Sequence, residues 1–184
     1  MIDFITELVD NYPQVKEYQD KIIDVVVKSG CNNIEFADFK YPALGIALHD
    51  GVLINRKLLT QPISDVLFVI FHELGHQYQF KKYGQDQMYE CYLGDMSITD
   101  AVQFMRSVEC VADEFAFRKV REFIKFGHLI PGFIPPRVYK NTSDDKIKTM
   151  IENFKKEFVN NNVTTPDGIS KLMNEMIIQN EKVN

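Results

Sequence analysis

The chain has 184 residues, enough for one domain with its own core, and 45% of them are hydrophobic while 26% are charged. The net charge of −5 argues against a nucleic-acid or anionic-membrane surface, since either would need a basic face. Acidic residues interrupt the N-terminal segment and no run reaches transmembrane length, so we expect neither a signal peptide nor a membrane partner. Three cysteines without CxxC spacing fit reduced thiols. We therefore expect one cytoplasmic domain over residues 1–184.

The N-terminal segment predicts helices that cover the core. Apolar residues recur at helical spacing over residues 3–29. Asp3 is a candidate cap, and Pro13 divides a short first helix from a longer one that ends near Gly30. We expect these helices to pack and to carry no chemistry.

A small sheet is predicted next. Ile34 and Phe36 alternate with polar residues as in a strand, and residues 44–55 hold two short apolar strands around Asp50-Gly51. Asp-Gly between strands is a strong hairpin signal, because the tight turn needs positive φ at both central residues. The order of strand, hairpin and helix leads directly into the segment that carries the main motif.

An H-E-x-x-H pattern lies inside the apolar segment 66–81, which predicts a largely buried helix. Residues four apart on a helix share a face, so His72 and His76 can bind one ion while Glu73 lies beside them. Two imidazoles leave room for a third protein ligand and a water, and the carboxylate can take that water's proton during attack on a carbonyl carbon. This is the chemistry of a zinc hydrolase. The alternative is a chance pattern, which would bury three ionisable side chains at a cost.

The limits of this helix and of the later elements follow from capping and turn residues. Thr60 is a plausible cap with Pro62 in the first turn, and Gly84 should end the helix. Residues 84–96 hold two glycines and no clear period, so we expect a loop with at most one helical turn. We then expect a long helix at 97–126 and an ordered proline-rich loop at 128–136. Two amphipathic packing helices should follow at 144–159 and 165–181.

Glu109 is the best candidate for the third ligand, because it falls inside the apolar stripe of the long helix, where a carboxylate needs a cation. A metzincin would place glycine and histidine where this chain has Gln79 and Lys82, so that pattern is excluded. The remaining histidines, His49 and His128, continue no recognised ligand spacing.

A second carboxylate lies one turn beyond Glu109. Asp113 can accept a hydrogen bond from the ring nitrogen of a ligand histidine that does not hold the metal, which fixes the orientation of the ring. The alternative for Glu109 is a salt bridge to Arg106 or Arg118, and for Asp113 a solvated or capping carboxylate.

At this point the sequence resembles a known family. The residues H-E-L-G-H at 72–76, followed by E-C-V-A-D-E-F-A at 109–116, look like the gluzincin pattern of HExxH and a downstream ExxAxxFA helix in the ImmA/IrrE-like metallopeptidases. The strand V-L-I-N at 52–55, followed by Arg56, is also similar to that family, and the resemblance covers roughly residues 44–118.

The resemblance implies an α+β fold, a mainly helical zincin-like domain with a small sheet or hairpin packed on the active-site helix. It implies a bound Zn²⁺ with His72, His76 and Glu109 as ligands and Glu73 as the general base. The expected activity is that of a zinc metalloendopeptidase acting on a protein or peptide substrate. An extended substrate could add itself by backbone hydrogen bonds to the hairpin edge at 52–55.

Several points stay open at this stage. His128 is the first candidate for stabilising the oxyanion, and four tyrosines are further candidates, namely Tyr83, Tyr89, Tyr92 and Tyr139. Instead of an enzyme, the chain could be a catalytically silent metal-binding domain that acts as a protein-interaction or regulatory module. It could also be a structural protein with satisfied histidines and no metal. A SprT-like enzyme would call for a third histidine and an electropositive surface.

Overall fold

The computed structural model describes residues 1–40, 43–49, 51–125 and 142–177. Within these ranges the helices are α1 Ile2–Asn11, α2 Gln19–Ser29, α3 Ile63–Tyr83, α4 Gln85–Leu93, α5 Ile98–Lys125, α6 Asp144–Asn160 and α7 Pro166–Ile177. The strands are β1 Ile34–Ala37, β2 Gly45–Leu48 and β3 Gly51–Asn55, and 3₁₀ helices lie at Pro13–Tyr18 and Arg56–Thr60. The predicted α+β class is confirmed.

The three strands form one mixed sheet in the order β1-β3-β2. The central strand β3 runs parallel to β1, with Ile34 opposite Val52, and antiparallel to β2, with Gly45 opposite Ile54. All five residues of β3 are buried. The middle of the sheet is therefore covered on both faces, and β2 forms one of its edges.

The hairpin turn differs from the prediction. Leu48 pairs with Gly51, so Gly51 is the first residue of β3 and not a central turn residue, and among the described glycines only Gly30 and Gly84 have positive φ. The close approach of the Asn33 backbone explains why position 51 is a glycine. A Cβ added to Gly51 would lie 2.4 Å from the carbonyl oxygen of Asn33, which accepts the Val52 N–H at 2.8 Å. Asp50 lies outside the described residues.

Helix α3 lies at the centre of the core. It packs against β2, β3, α2 and α5, and the six consecutive apolar residues from Val66 to Phe71 are all buried. A helix that is apolar all round has no solvent face, so neighbours are needed on every side. The predicted buried helix and its end at Gly84 are confirmed. The H-E-x-x-H motif therefore lies on a helix that is packed on several sides.

Two predicted helix caps are wrong. Thr60 ends the 3₁₀ helix that follows β3, and Pro62 is the N-cap residue of α3. The chain turns earlier than expected because the Asn55 side chain accepts the Lys57 N–H at 3.1 Å and so caps the 3₁₀ helix. At the N-terminus, Met1 precedes α1, and Asp3 lies inside its first turn. The division at Pro13 is confirmed.

The predicted loop at 84–96 is also wrong, because most of it forms α4. Its two glycines flank the helix at positions 84 and 94 and do not interrupt it. Met88, Tyr89 and Cys91 are buried against the surrounding helices. Tertiary packing therefore stabilises a short helix that local periodicity does not reveal.

The later helices agree with the predictions where the structure describes them. Ser97 precedes α5, and its hydroxyl oxygen accepts the Asp100 N–H at 3.2 Å. The bounds of α6 are close to those expected, and α7 begins at Pro166. The predicted loop at 128–136 and the predicted helical residues beyond 177 lie outside the described residues. Across the described ranges, the helices lack the combined length and apolarity needed to cross a membrane.

We expect Gly51→Ala to lower the free energy of unfolding by about 1–3 kcal/mol or more, because the new methyl group would overlap a fixed backbone carbonyl. Urea unfolding measures this change. The control is Gln103→Ala at an exposed position on α5, which should change stability by less than about 0.5 kcal/mol. Equal stabilities of the Gly51 variant and the unchanged protein would contradict the close approach to Asn33.

Candidate metal centre

The site begins with a close approach of α3 and α5. A Cβ added to Gly75 would lie 3.1 Å from the Cα of Ala112, so two small residues set the distance between the helices. His72 and His76 flank Gly75 on α3, and Glu109 lies one turn before Ala112 on α5. This helix contact brings the predicted ligands together.

Three atoms converge between the helices. The Nε2 atoms of His72 and His76 lie 3.1 Å apart, and Oε2 of Glu109 lies 3.1 Å from the first and 3.4 Å from the second. A tetrahedral zinc with bonds of about 2.0–2.1 Å would hold its ligand atoms roughly 3.3 Å apart. The geometry of the three side chains therefore fits such an ion.

Neither salt bridge considered for Glu109 forms. Arg106 pairs with Asp144 on α6 and donates to the carbonyl oxygen of Thr142, while Arg118 lies beside Glu114 on its own helix. Glu109 is buried and faces the two imidazoles. Its partner is therefore the histidine pair.

The other ring nitrogen of each histidine is fixed by a hydrogen bond. Nδ1 of His72 lies 3.0 Å from Oδ1 of Asp113, as predicted, and Nδ1 of His76 lies 2.9 Å from Oε1 of Gln79. Both oxygens are acceptors, so each Nδ1 donates and each Nε2 presents a lone pair to Glu109. Three electron-rich atoms about 3 Å apart require a cation between them, either a proton or a metal ion.

Sequence reasoning missed the role of Gln79. Its amide nitrogen donates to the carbonyl oxygen of Val108 at 2.9 Å, so Gln79 links His76 on α3 to the backbone of α5. The signal was present, because a polar residue three positions after His76 shares its helix face.

The carboxylate of Glu73 is held by the edge strand. Glu73 is buried, and the backbone N–H of Ala47 donates a hydrogen bond to it. A Cβ at Gly45 would lie 2.7 Å from Cγ and 2.9 Å from Oε1 of Glu73, so a larger residue at that position in β2 would displace the Glu73 side chain. Burial raises the pKa of Glu73 above its usual range, despite the two nearby imidazoles.

Among the described residues, no strand pairs with the outer edge of β2, which lies at this site. The expectation that substrate adds to residues 52–55 is wrong, because β3 is the central strand and pairs on both sides. Asn55 N–H donates to the Leu44 carbonyl at 2.9 Å, and hydrogen-bonded pairs alternate along an antiparallel ladder. Gly45 and Ala47 therefore direct their backbone groups away from β3, which agrees with the contact from Ala47 to Glu73.

The charged groups of the cluster shift the pKa values of one another. Burial alone would lower the pKa of His72, but hydrogen bonds to Asp113 and Glu109 and the nearby carboxylates raise it to about 10. Burial would raise the pKa of Glu109, yet the two imidazoles lower it to about 2. In the absence of a metal ion, His72 therefore keeps a proton at neutral pH.

A cavity of about 690 Å³ opens beside the cluster and has walls from β2 and from α3 to α7. His72, Glu73, His76 and Glu109 lie in its wall. Tyr89 and Tyr92 also line it, whereas Tyr83 borders a separate hollow of about 150 Å³. The other oxyanion candidates, His128 and Tyr139, lie outside the described residues.

Comparisons of the chain with protein-family models, with curated proteins and with solved structures give no match. The resemblance to the gluzincins therefore remains a prediction that rests on the motif residues.

We expect the apparent affinity for Zn²⁺ to rise with pH, by about tenfold per pH unit for each proton displaced. The sign follows from the raised pKa of His72, because a metal ion must displace its proton below about pH 10. Competition with a chelator of known pH dependence measures the affinity. An affinity that stayed constant between about pH 6 and pH 9 would contradict the prediction.

We expect Gly75→Ala to weaken Zn²⁺ binding and to lower the free energy of unfolding by about 1–3 kcal/mol, because the methyl group would push α5 away from α3. Chelator competition and urea unfolding measure the two effects. Gly168→Ala is the matched control: its Cβ would lie 3.1 Å from Val163, far along the chain from the ligands. Equal zinc affinities of the two variants would show that the helix spacing does not set the site.

Proposed function

We propose that the protein is a zinc-dependent metalloendopeptidase that hydrolyses peptide bonds with Glu73 as the general base. The observation that carries this proposal is the position of Glu73, a buried carboxylate between three convergent ligand atoms and a free strand edge, in the wall of a cavity. A purely structural histidine cluster has no need of an additional buried carboxylate held by an edge strand.

Each residue has a separate task in this mechanism. When held by His72, His76 and Glu109, a zinc ion supplies a Lewis acid that acidifies a water and polarises a carbonyl group. The carboxylate of Glu73 accepts a proton from the attacking water and donates it to the nitrogen of the leaving amine. Its raised pKa suits both transfers, because a weakly basic carboxylate would take the proton less readily.

The positioning residues keep this arrangement in place. Asp113 and Gln79 fix the two imidazole rings, and the Ala47 N–H fixes the carboxylate of Glu73. Of the tyrosines considered for oxyanion stabilisation, Tyr89 and Tyr92 line the cavity, but the hydroxyl group of Tyr89 is buried, so Tyr92 is the better candidate.

The substrate that suits this cleft is an extended peptide. The N–H and carbonyl groups of Gly45 and the carbonyl group of Ala47 face away from β3 along the edge of β2, next to Glu73. A peptide paired with that edge would lie across the metal ligands, and main-chain hydrogen bonds would hold it without regard to sequence. We also propose a cytoplasmic setting, because the three cysteines are free.

We expect Glu73→Gln to lower kcat by about 10²–10⁴-fold while the protein still retains close to one zinc per chain. The amide keeps the shape of the side chain but cannot take a proton from water. Peptide cleavage followed by mass spectrometry, together with elemental analysis, measures the two quantities. The matched control is Glu114→Gln, an exposed position on α5, which should cleave like the unchanged protein.

Two results would favour a function other than peptide hydrolysis. Zinc retention with no cleavage by the unchanged protein would favour a catalytically silent metal-binding module. Purified protein without any bound metal, and unable to take up Zn²⁺, would favour a structural histidine cluster.

A further inference from the structure

Four methionines meet at the cavity beside the ligand cluster. Met88, Met105, Met150 and Met173 come from α4, α5, α6 and α7, so each of four helices contributes one. The whole chain has only seven methionines. Met88 and Met105 are buried, while Met150 and Met173 are half-buried. Four thioether side chains from four helices therefore line the same cavity, two of them buried and two half-buried.

Aromatic rings complete this lining. Tyr92 and Phe154 pack edge to face with ring centroids 5.7 Å apart, and the Tyr92 hydroxyl contacts the sulfur of Met105 at 3.9 Å. Rigid rings and flexible thioether chains therefore share the same walls. Methionine has three rotatable bonds and a polarizable sulfur, so such a lining can adapt to apolar groups of different shape.

Apart from Glu73 and the ligand cluster, the charged residues that border the cavity do not alter this character. Lys146, Lys156 and Glu157 all belong to α6 and are exposed, so they lie at the mouth. A charged group placed among the methionines would lose its hydration without gaining a partner. A bulky apolar group would instead displace water from apolar walls, which is favourable.

Methionines also serve as simple packing residues in cores. That role does not account for their arrangement, because residues that only fill space leave no cavity of about 690 Å³ between them. The same cavity contains the convergent ligand atoms and Glu73.

We propose that this methionine-lined pocket, formed by Met88, Met105, Met150 and Met173, selects substrates with a large apolar side chain next to the scissile bond. Leucine, methionine and phenylalanine are the side chains it would take, with little discrimination among them and strong rejection of charged residues. This inference rests on the proposed peptidase function and adds the substrate class to it.

The test uses the zinc-loaded full chain and a proteome-derived peptide library whose cleavage products are identified by mass spectrometry. Leucine, methionine and phenylalanine should be enriched at least about tenfold over aspartate, glutamate and lysine at one position beside the cleaved bond. Met150→Glu should abolish this enrichment, because it places a carboxylate in the half-buried wall. The matched control is Met96→Glu. Met96 is also half-buried and, like Met150, packs on the apolar cluster that includes Met105 and Ile147, but it does not line the cavity, so this variant should leave the enrichment unchanged.

A binding measurement separates this inference from the proposed function. Zinc-loaded Glu73→Gln protein is immobilised, and the captured library peptides are counted. Capture of peptides rich in large apolar residues, lost in the Glu73→Gln/Met150→Glu double variant, supports the pocket even if the unchanged protein cleaves nothing. Three results would contradict the proposed selectivity: cleavage without apolar enrichment, capture without apolar enrichment, or equal effects of the Met150 and Met96 variants. If the protein still cleaved peptides in such a case, the proposed peptidase function would be unaffected.

Discussion

The contact between Gly75 and Ala112 is the constraint on which the rest of the site depends. Only residues without a side chain beyond Cβ permit α3 and α5 to approach so closely, and that approach sets the distances among the three ligand atoms. Protein interiors pack at nearly crystalline density, so a change of a few tenths of an ångström between these helices cannot be absorbed locally. The separation of two backbones therefore controls the chemistry of side chains one turn away.

The cluster shows how a buried polar group becomes tolerable. Glu109 and His76 are buried, and each has a partner on the other helix. Asp113 and Gln79 complete the arrangement, although the second carboxylate oxygen of Asp113 has no hydrogen-bond partner among the described residues. Breaking such a network leaves an uncompensated charge in a medium of low dielectric, which costs more than the contact itself contributes. Because losing a contact costs more than forming it contributes, the side chains of the site are held in this arrangement.

Single-helix patterns in the sequence indicate the three candidate ligands, whereas the surroundings of these residues depend on contacts between elements. The spacing of His72 and His76 and the place of Glu109 in an apolar stripe are properties of single helices, which periodicity reveals. The strand edge beside Glu73 depends on strand order, and α4 depends on burial against other helices, so neither has a local signal. The Asp-Gly pattern predicts Gly51 in the centre of the turn, but Gly51 lies in β3, and the reason for a glycine there is the close backbone of Asn33, which has no local signal.

The position of β2 also bears on the behaviour of the folded chain at high concentration. An unpaired strand is a template for pairing with another molecule, and many proteins protect such edges with charges, prolines or short strands. Here the edge is only four residues long and faces a cavity with helical walls, so a second sheet cannot dock on it as a flat surface. The recess beside β2 therefore hinders the pairing of this edge with a strand of another molecule.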